Sequence, residues 1–258
     1  MSNALDWAFD FDLDGLAPAD DVSEELVEMF RPSDLTVLAH HRTEPNGSHS
    51  FVVAHDDSAT WGVPGAPQVV AIAVARDLSR STFTMDSTYH AAAPFAQNWL
   101  IERGCPPERI ALASGNFVAP ADDLTVQVEQ KIRMSGARYE VLDTCTSDFD
   151  PSETWTLALD SGATQVPVRI FREEWDYNAG TYTVREGAFA DVSAARSWLD
   201  DRPGPLPAPP EDRHDNGSAL RTRVALARSA SPSATPKAAV PGTPPAKPVQ
   251  RPIQGRLL

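Results

Sequence analysis

From the N-terminal end, apolar and polar residues alternate strictly. Trp7, Phe9, Phe11 and Leu13 share one face of the stretch Asp6 to Leu13, and Asp10, Asp12 and Asp14 continue the other. A period of two predicts a half-buried strand. Asp20 or Asp21 can cap a short helix in which Val22, Leu26, Met29 and Phe30 recur at helical spacing, with Pro32 beyond its end. Thr36 to Thr43 and Ser50 to His55 read as two strands joined by a turn containing Pro45-Asn46-Gly47, a hairpin signal. Val69 to Val74 is apolar on both faces, as a central strand covered by helices would be.

The middle of the chain, Gln68 to Thr144, alternates between strand and helix patterns. Ala92, Phe95, Ala96 and Trp99 form a stripe on a helix from Ala91 to Arg103, with Pro94 in its first turn and Gly104 at its end. Ile110 to Ala113 reads as a short buried strand. Leu124, Val128 and Ile132 recur every four residues between Asp122 and Ser135, and capping Asp122 with terminal Gly136 predicts a helix there. Tyr139 to Leu142 completes a β-α-β-α-β core. After Asp150 the strands Trp155 to Leu159, Val166 to Phe171 and Tyr182 to Arg185 are separated by turn residues and predict an antiparallel extension, closed by a helix from Ala194 to Leu199. No repeat occurs at the spacing of about 20–50 residues that marks a solenoid. The expected fold is therefore α/β to α+β, a mixed sheet in a single domain over residues 1–201.

Composition changes the picture at the C-terminal end. Twelve of the 23 prolines lie from Pro203 onward, and residues 202–258 are rich in Pro, Ala, Ser and Thr, which predicts a disordered tail. Charge divides at the same place. Up to Asp201, 13 Arg and Lys face 33 Asp and Glu, a charge of −20; from Arg202, 9 face 3, a charge of +6. An acidic body repels nucleic acid and anionic surfaces. No apolar run approaches the roughly 18 residues of a membrane span, and no secretory signal pattern opens the chain. Cys105 and Cys145 are too few for a disulfide framework, so the expected location is cytoplasmic.

Candidate chemistry concentrates in the acidic N-terminal stretch. Asp10-x-Asp12-x-Asp14-Gly15, with Asp21 at the twelfth position, resembles dockerin-type and EF-hand loops, which implies calcium held by Asp10, Asp12 and Asp14. Phe11-Asp12-Leu13-Asp14-Gly15 also resembles the first motif of the haloacid dehalogenase-like phosphohydrolases, with Leu16 where that family has threonine. That resemblance implies an aspartate nucleophile at Asp12, acid/base chemistry at Asp14, magnesium, and further roles for Ser114, Lys131, and Asp143 or Asp148.

Other candidates follow from local pattern. His40, His41, His49 and His55, with Asp56 and Asp57, are the one concentration of histidine, and facing strands could converge two of them on zinc. Glu129-x-Lys131 would suit a metal-dependent nuclease if that segment were a strand. Ser114-Gly115-Asn116 falls where open α/β sheets place ligands, but Asp122-Asp123 would repel a phosphate there. Cys145, near Asp143 and Asp148, reads as structural.

No complete catalytic constellation emerges. The leading expectation is an interaction or regulatory protein without its own catalysis. It would need no cofactor and would engage a protein partner through the proline-rich tail. A magnesium-dependent phosphohydrolase and a calcium-binding module are the alternatives.

Overall fold

The computed structural model describes residues 10–30, 32–43, 47–59, 63–112, 118–147 and 152–210. Within them the chain lays down one arrangement twice. The N-terminal half runs β1 (Ala17–Pro18), α1 (Asp21–Met29), β2 (Leu35–Arg42), β3 (His49–Asp56), β4 (Val69–Asp77), β5 (Thr82–His90) and α2 (Ala93–Glu102). The C-terminal half runs β6 (Ala119–Pro120), α3 (Asp123–Arg133), β7 (Tyr139–Ser147), β8 (Glu153–Asp160), β9 (Val168–Asp176), β10 (Thr181–Phe189) and α4 (Val192–Asp201). Each half forms a five-stranded sheet, ordered β1-β5-β4-β3-β2 and β6-β10-β9-β8-β7. In each, a four-stranded antiparallel meander gains one short parallel strand at its last member. Two mixed sheets and four helices make an α+β protein.

The duplication reaches individual side chains. Ala-Pro-Ala-Asp-Asp occurs at 17–21 and again at 119–123. Asp20 accepts from Ser23 N at 2.7 Å, and Asp122 accepts from Thr125 N at 2.9 Å, so both helices start on the same cap. The capped residue then latches the helix to its sheet. Ser23 Oγ accepts from Met85 N on β5, and Thr125 Oγ1 accepts from Val184 N on β10. Asp77 and Asp176 each accept two backbone N–H groups across the last hairpin turn. Each half ends with a guanidinium over an indole, Arg103 on Trp99 and Arg202 on Trp198. Both edge strands carry a bulge, between Val37 and Ala39 on β2 and between Val141 and Asp143 on β7, which blunts them as pairing templates.

Alternation along the strands sends apolar side chains to both faces, so each sheet is covered twice. Val52, Ala54, Val70 and Ile72 pack with Phe30 and Leu26 of the α1 region. Phe51, Val53 and Ala71 pack on the opposite face against Ala96 and Leu100 of α2. In the second sheet, Ala158, Phe171 and Val184 meet Val128 and Ile132 of α3 together with Phe95 of α2. Leu157 and Ile170 meet Ala195 and Trp198 of α4. The order of layers is α1, first sheet, α2 with α3, second sheet, α4. Helix α2 faces both sheets, which explains why Gln97 and Asn98 are buried. Gln97 donates to Ile110 O, and Asn98 exchanges a reciprocal pair of hydrogen bonds with Gly136.

The expected β-α-β-α-β core is not what forms. Strand β4 pairs antiparallel with β3 and β5 in the first sheet, whereas β7 lies at the edge of the second. Strand β5 is an addition the sequence reading missed, because only Phe83 and Met85 on it are fully buried and its other positions are mostly polar. Ile110 is buried but belongs to no strand, and Ala111 and Leu112 are irregular. The helices over 91–103 and 122–135, the 36–55 hairpin and the later meander form close to where they were expected.

At the N-terminal end, residues 10–13 are not a strand. Asp12 has a left-handed backbone with φ 53°, and only Phe11 is buried; residues 6–9 lie outside the described residues. At the other end, ordered chain continues past Asp201 to Pro210. Ala188 N donates to Pro207 O, and a side chain at Gly187 would collide with Leu206. The expected tail beyond 210 lies outside the described residues. No described helix is long and apolar enough to cross a membrane.

Candidate functional site

The central layer does not fill the space between the sheets. Beside the start of α2 lies a cavity of about 530 Å³, within the size range of small-molecule sites. Leu38 and Val69 of the first sheet and Ala91 to Pro94 at the start of α2 form its apolar wall. Trp175 and Tyr182 form an aromatic wall opposite. They are register partners on β9 and β10, with ring centroids 5.4 Å apart.

Polar groups cross the second sheet in one row. Register places Thr146 beside Thr154, and Thr154 beside Glu173. All three line the cavity and all three are less than a tenth exposed. The hydroxyls of Thr146 and Thr154 are buried without a hydrogen-bond partner among the described residues. Native interiors seldom leave such groups unsatisfied. Burial, then the neighbouring Glu129 carboxylate, raises the Glu173 carboxyl to about 8. Glu129 reaches the cavity from α3 and accepts from Tyr182 Oη at 2.6 Å. Burial raises its carboxyl as well, against the lowering effects of that hydrogen bond and of Arg133. The Tyr182 hydroxyl is pushed up by burial and by its bond to Glu129. At the rim, His55 is hydrogen-bonded to Asp57 and to Gln68.

Of the residues singled out from the sequence, His55, Asp57 and Glu129 line the cavity, whereas the N-terminal aspartates, Lys131 and Asp143 lie elsewhere. Asp12 pairs with Arg42, and Asp10 accepts from Asp12 N. Arg76, buried, donates to the carbonyls of Phe11, Asp12 and Gly47 and so anchors this stretch to β4. Lys131 pairs with Glu186, at 2.8 Å, inside a chain of alternating charge. Glu186 meets Arg169, Arg169 meets Asp160, and Asp160 meets Arg138. Asp143 pairs with Arg196 of α4.

None of Asp10, Asp12, Asp14, Lys131 or Asp143 lines the cavity. Ser114 and Asp148 lie outside the described residues. His41 and His49 both stack on Phe51, and burial lowers His40. Among the described residues no group of three His, Cys, Asp or Glu is gathered as a metal would require. Cys105 and Cys145 are free, and burial raises both thiols.

The cavity residues were reachable from pattern. Glu173 stands two residues from Phe171 and two from Trp175, so strand alternation puts it on the inward face. Glu129 follows Thr125 by four and precedes Ile132 by three, on the buried stripe of α3. A carboxylate on an apolar face was the available signal. Comparison with protein-family models, with curated proteins and with solved structures returns no significant match to the chain.

Proposed function

We propose that the protein is a binding module whose inter-sheet cavity receives a small ligand. The cavity itself carries this reading: about 530 Å³ between apolar and aromatic walls, with Glu129 and Glu173 among its lining residues. A pocket with an apolar surround and a few convergent polar groups is the usual form of a ligand site. The position also suits a receptor. The cavity is built from both halves of the duplication, so a ligand there would touch both sheets and could bias how they pack. That agrees with the interaction or regulatory role expected from the sequence.

The test uses a neutral solvatochromic dye such as Nile red and the full chain. The wild-type protein should bind one equivalent. A variant that fills the space from the α2 wall, Ala93→Trp, should lose that binding while keeping its circular dichroism spectrum. Dye that fails to bind the wild type, or that binds the filled variant equally well, would overturn the reading.

A further inference from the structure

We infer that the cavity selects an organic cation, a protonated amine or guanidinium carried on an apolar or aromatic body. The inference rests on the cavity being a ligand site and names the chemistry of its occupant.

Four observations converge on it. The first is charge. Glu129, Glu173 and Asp57 line the cavity, and among the described residues no lysine or arginine does. The one cationic candidate in the lining, His55, is already engaged by Asp57 and Gln68 at the rim. A phosphate, sulfate or carboxylate ligand would meet these carboxyls and, among the described residues, no lysine or arginine. The second is hydrogen-bonding capacity. The Thr146 and Thr154 hydroxyls can accept as well as donate, and an ionised Glu173 only accepts. An ammonium brings three donors and a guanidinium five, so either can meet an ionised Glu173, for which an ether, ketone or carboxylate has no donor.

The third observation is aromatic. Trp175 and Tyr182 stand next to the carboxyls, their ring planes tilted by 31°, and a cation over an aromatic face gains electrostatic attraction beyond burial. The fourth is that burial raises both carboxyls and Glu129 raises Glu173 further, while Arg133 offsets the rise at Glu129 alone. A bound cation removes that conflict: Glu173 ionises against it, and Glu129 remains held by Tyr182. The apolar wall of Leu38, Val69 and Ala91 to Pro94 then takes the body of the ligand.

The body of the protein carries −20 up to Asp201, which would draw cations toward it from solution.

Isothermal titration of the full chain near pH 8 with 3-phenylpropylamine, 3-phenylpropanol and 3-phenylpropanoate isolates the charge of the head group. The amine should bind at least about tenfold more tightly than the alcohol, a difference of about 1.4 kcal/mol, and the carboxylate should bind most weakly. Glu173→Gln should bring the amine to the level of the alcohol. Glu129→Gln serves as the second variant should the first not fold.

An alcohol or carboxylate that matches the amine overturns the inference. If Nile red binds and the amine has no advantage, the cation assignment fails alone; if neither Nile red nor any of the three binds, the ligand site itself fails.

Discussion

Asp160 shows what a single buried carboxylate does for this protein. It is 1% exposed and accepts from Arg138 and Arg169. Burial alone would raise its carboxyl, but those two guanidinium groups outweigh burial and hold it below the ordinary range. Asp160→Asn would leave Arg169, itself 1% exposed, without its main counter-charge. Removing one partner of a buried pair costs about 3–5 kcal/mol, which urea unfolding would register as a lower midpoint.

Glu173 runs the other way. Its folded carboxyl titrates near 8, well above an unfolded glutamate, so the folded state binds the extra proton between those values. The stability tied to it is fully present below the unfolded value and is lost as pH rises toward about 8. The groups facing it are Glu129 from α3 and Tyr182 from β10, and Glu129 adds to the effect in the same direction. Wild-type protein should therefore melt higher at pH 5.5 than at pH 8, by on the order of a few kcal/mol in stability. Glu173→Gln should flatten that dependence. An unchanged slope in the variant would show that other groups set it.

At the level of elements, the two halves use the same small devices, and these explain which parts of the fold were legible. A capping aspartate followed by a hydroxyl three residues later starts α1 and α3, and sequence patterning located both. What patterning did not convey is the second role of that hydroxyl, as acceptor for a strand amide some sixty residues away. Thr125→Val keeps the shape of the side chain but strands Val184 N, and it also removes the bond from the hydroxyl to Asp122. A loss of about 1–3 kcal/mol is expected, measurable by thermal or urea unfolding. Ser23→Ala should cost a similar amount through Met85 N. Strand β5 escaped notice because four strands of a meander share the work of covering α1, so one of them can be mostly polar. The apolar run Ile110 to Ala113 reads as a strand, but among its described residues only Ile110 is buried, packed beside Ala96 and Leu100 of α2 and not paired.

Across the whole molecule, α2 is the shared member. It packs on the first sheet through Ala96 and Leu100 and on the second through Phe95, whose ring meets Phe171 edge-on at 5.4 Å. The two halves should consequently unfold together. Hydrogen exchange should give β4 and β9 amides the same free energy of opening, and Phe95→Ala should lower both by about 3–5 kcal/mol. A loss confined to β9 would show that the halves are independent. The duplication itself was readable, since Ala-Pro-Ala-Asp-Asp stands at 17–21 and at 119–123. It is spaced far beyond any solenoid period, and the strands that follow share pattern more than identity.

Local chemistry in the chain was enough to determine the helices, most hairpins, the acidic body and the free thiols, because caps, turn residues and apolar periodicity act over a few residues. Sheet membership, the shared helix layer and the cavity depended on register between distant strands. The N-terminal aspartates look like a metal loop in one dimension, yet folding turns Asp12 to Arg42. Glu129 and Glu173, distant along the chain, are driven into one buried space because α3 and β9 must each cover the other's apolar face. Burial supplies the perturbed chemistry, and burial is decided only when the layers close.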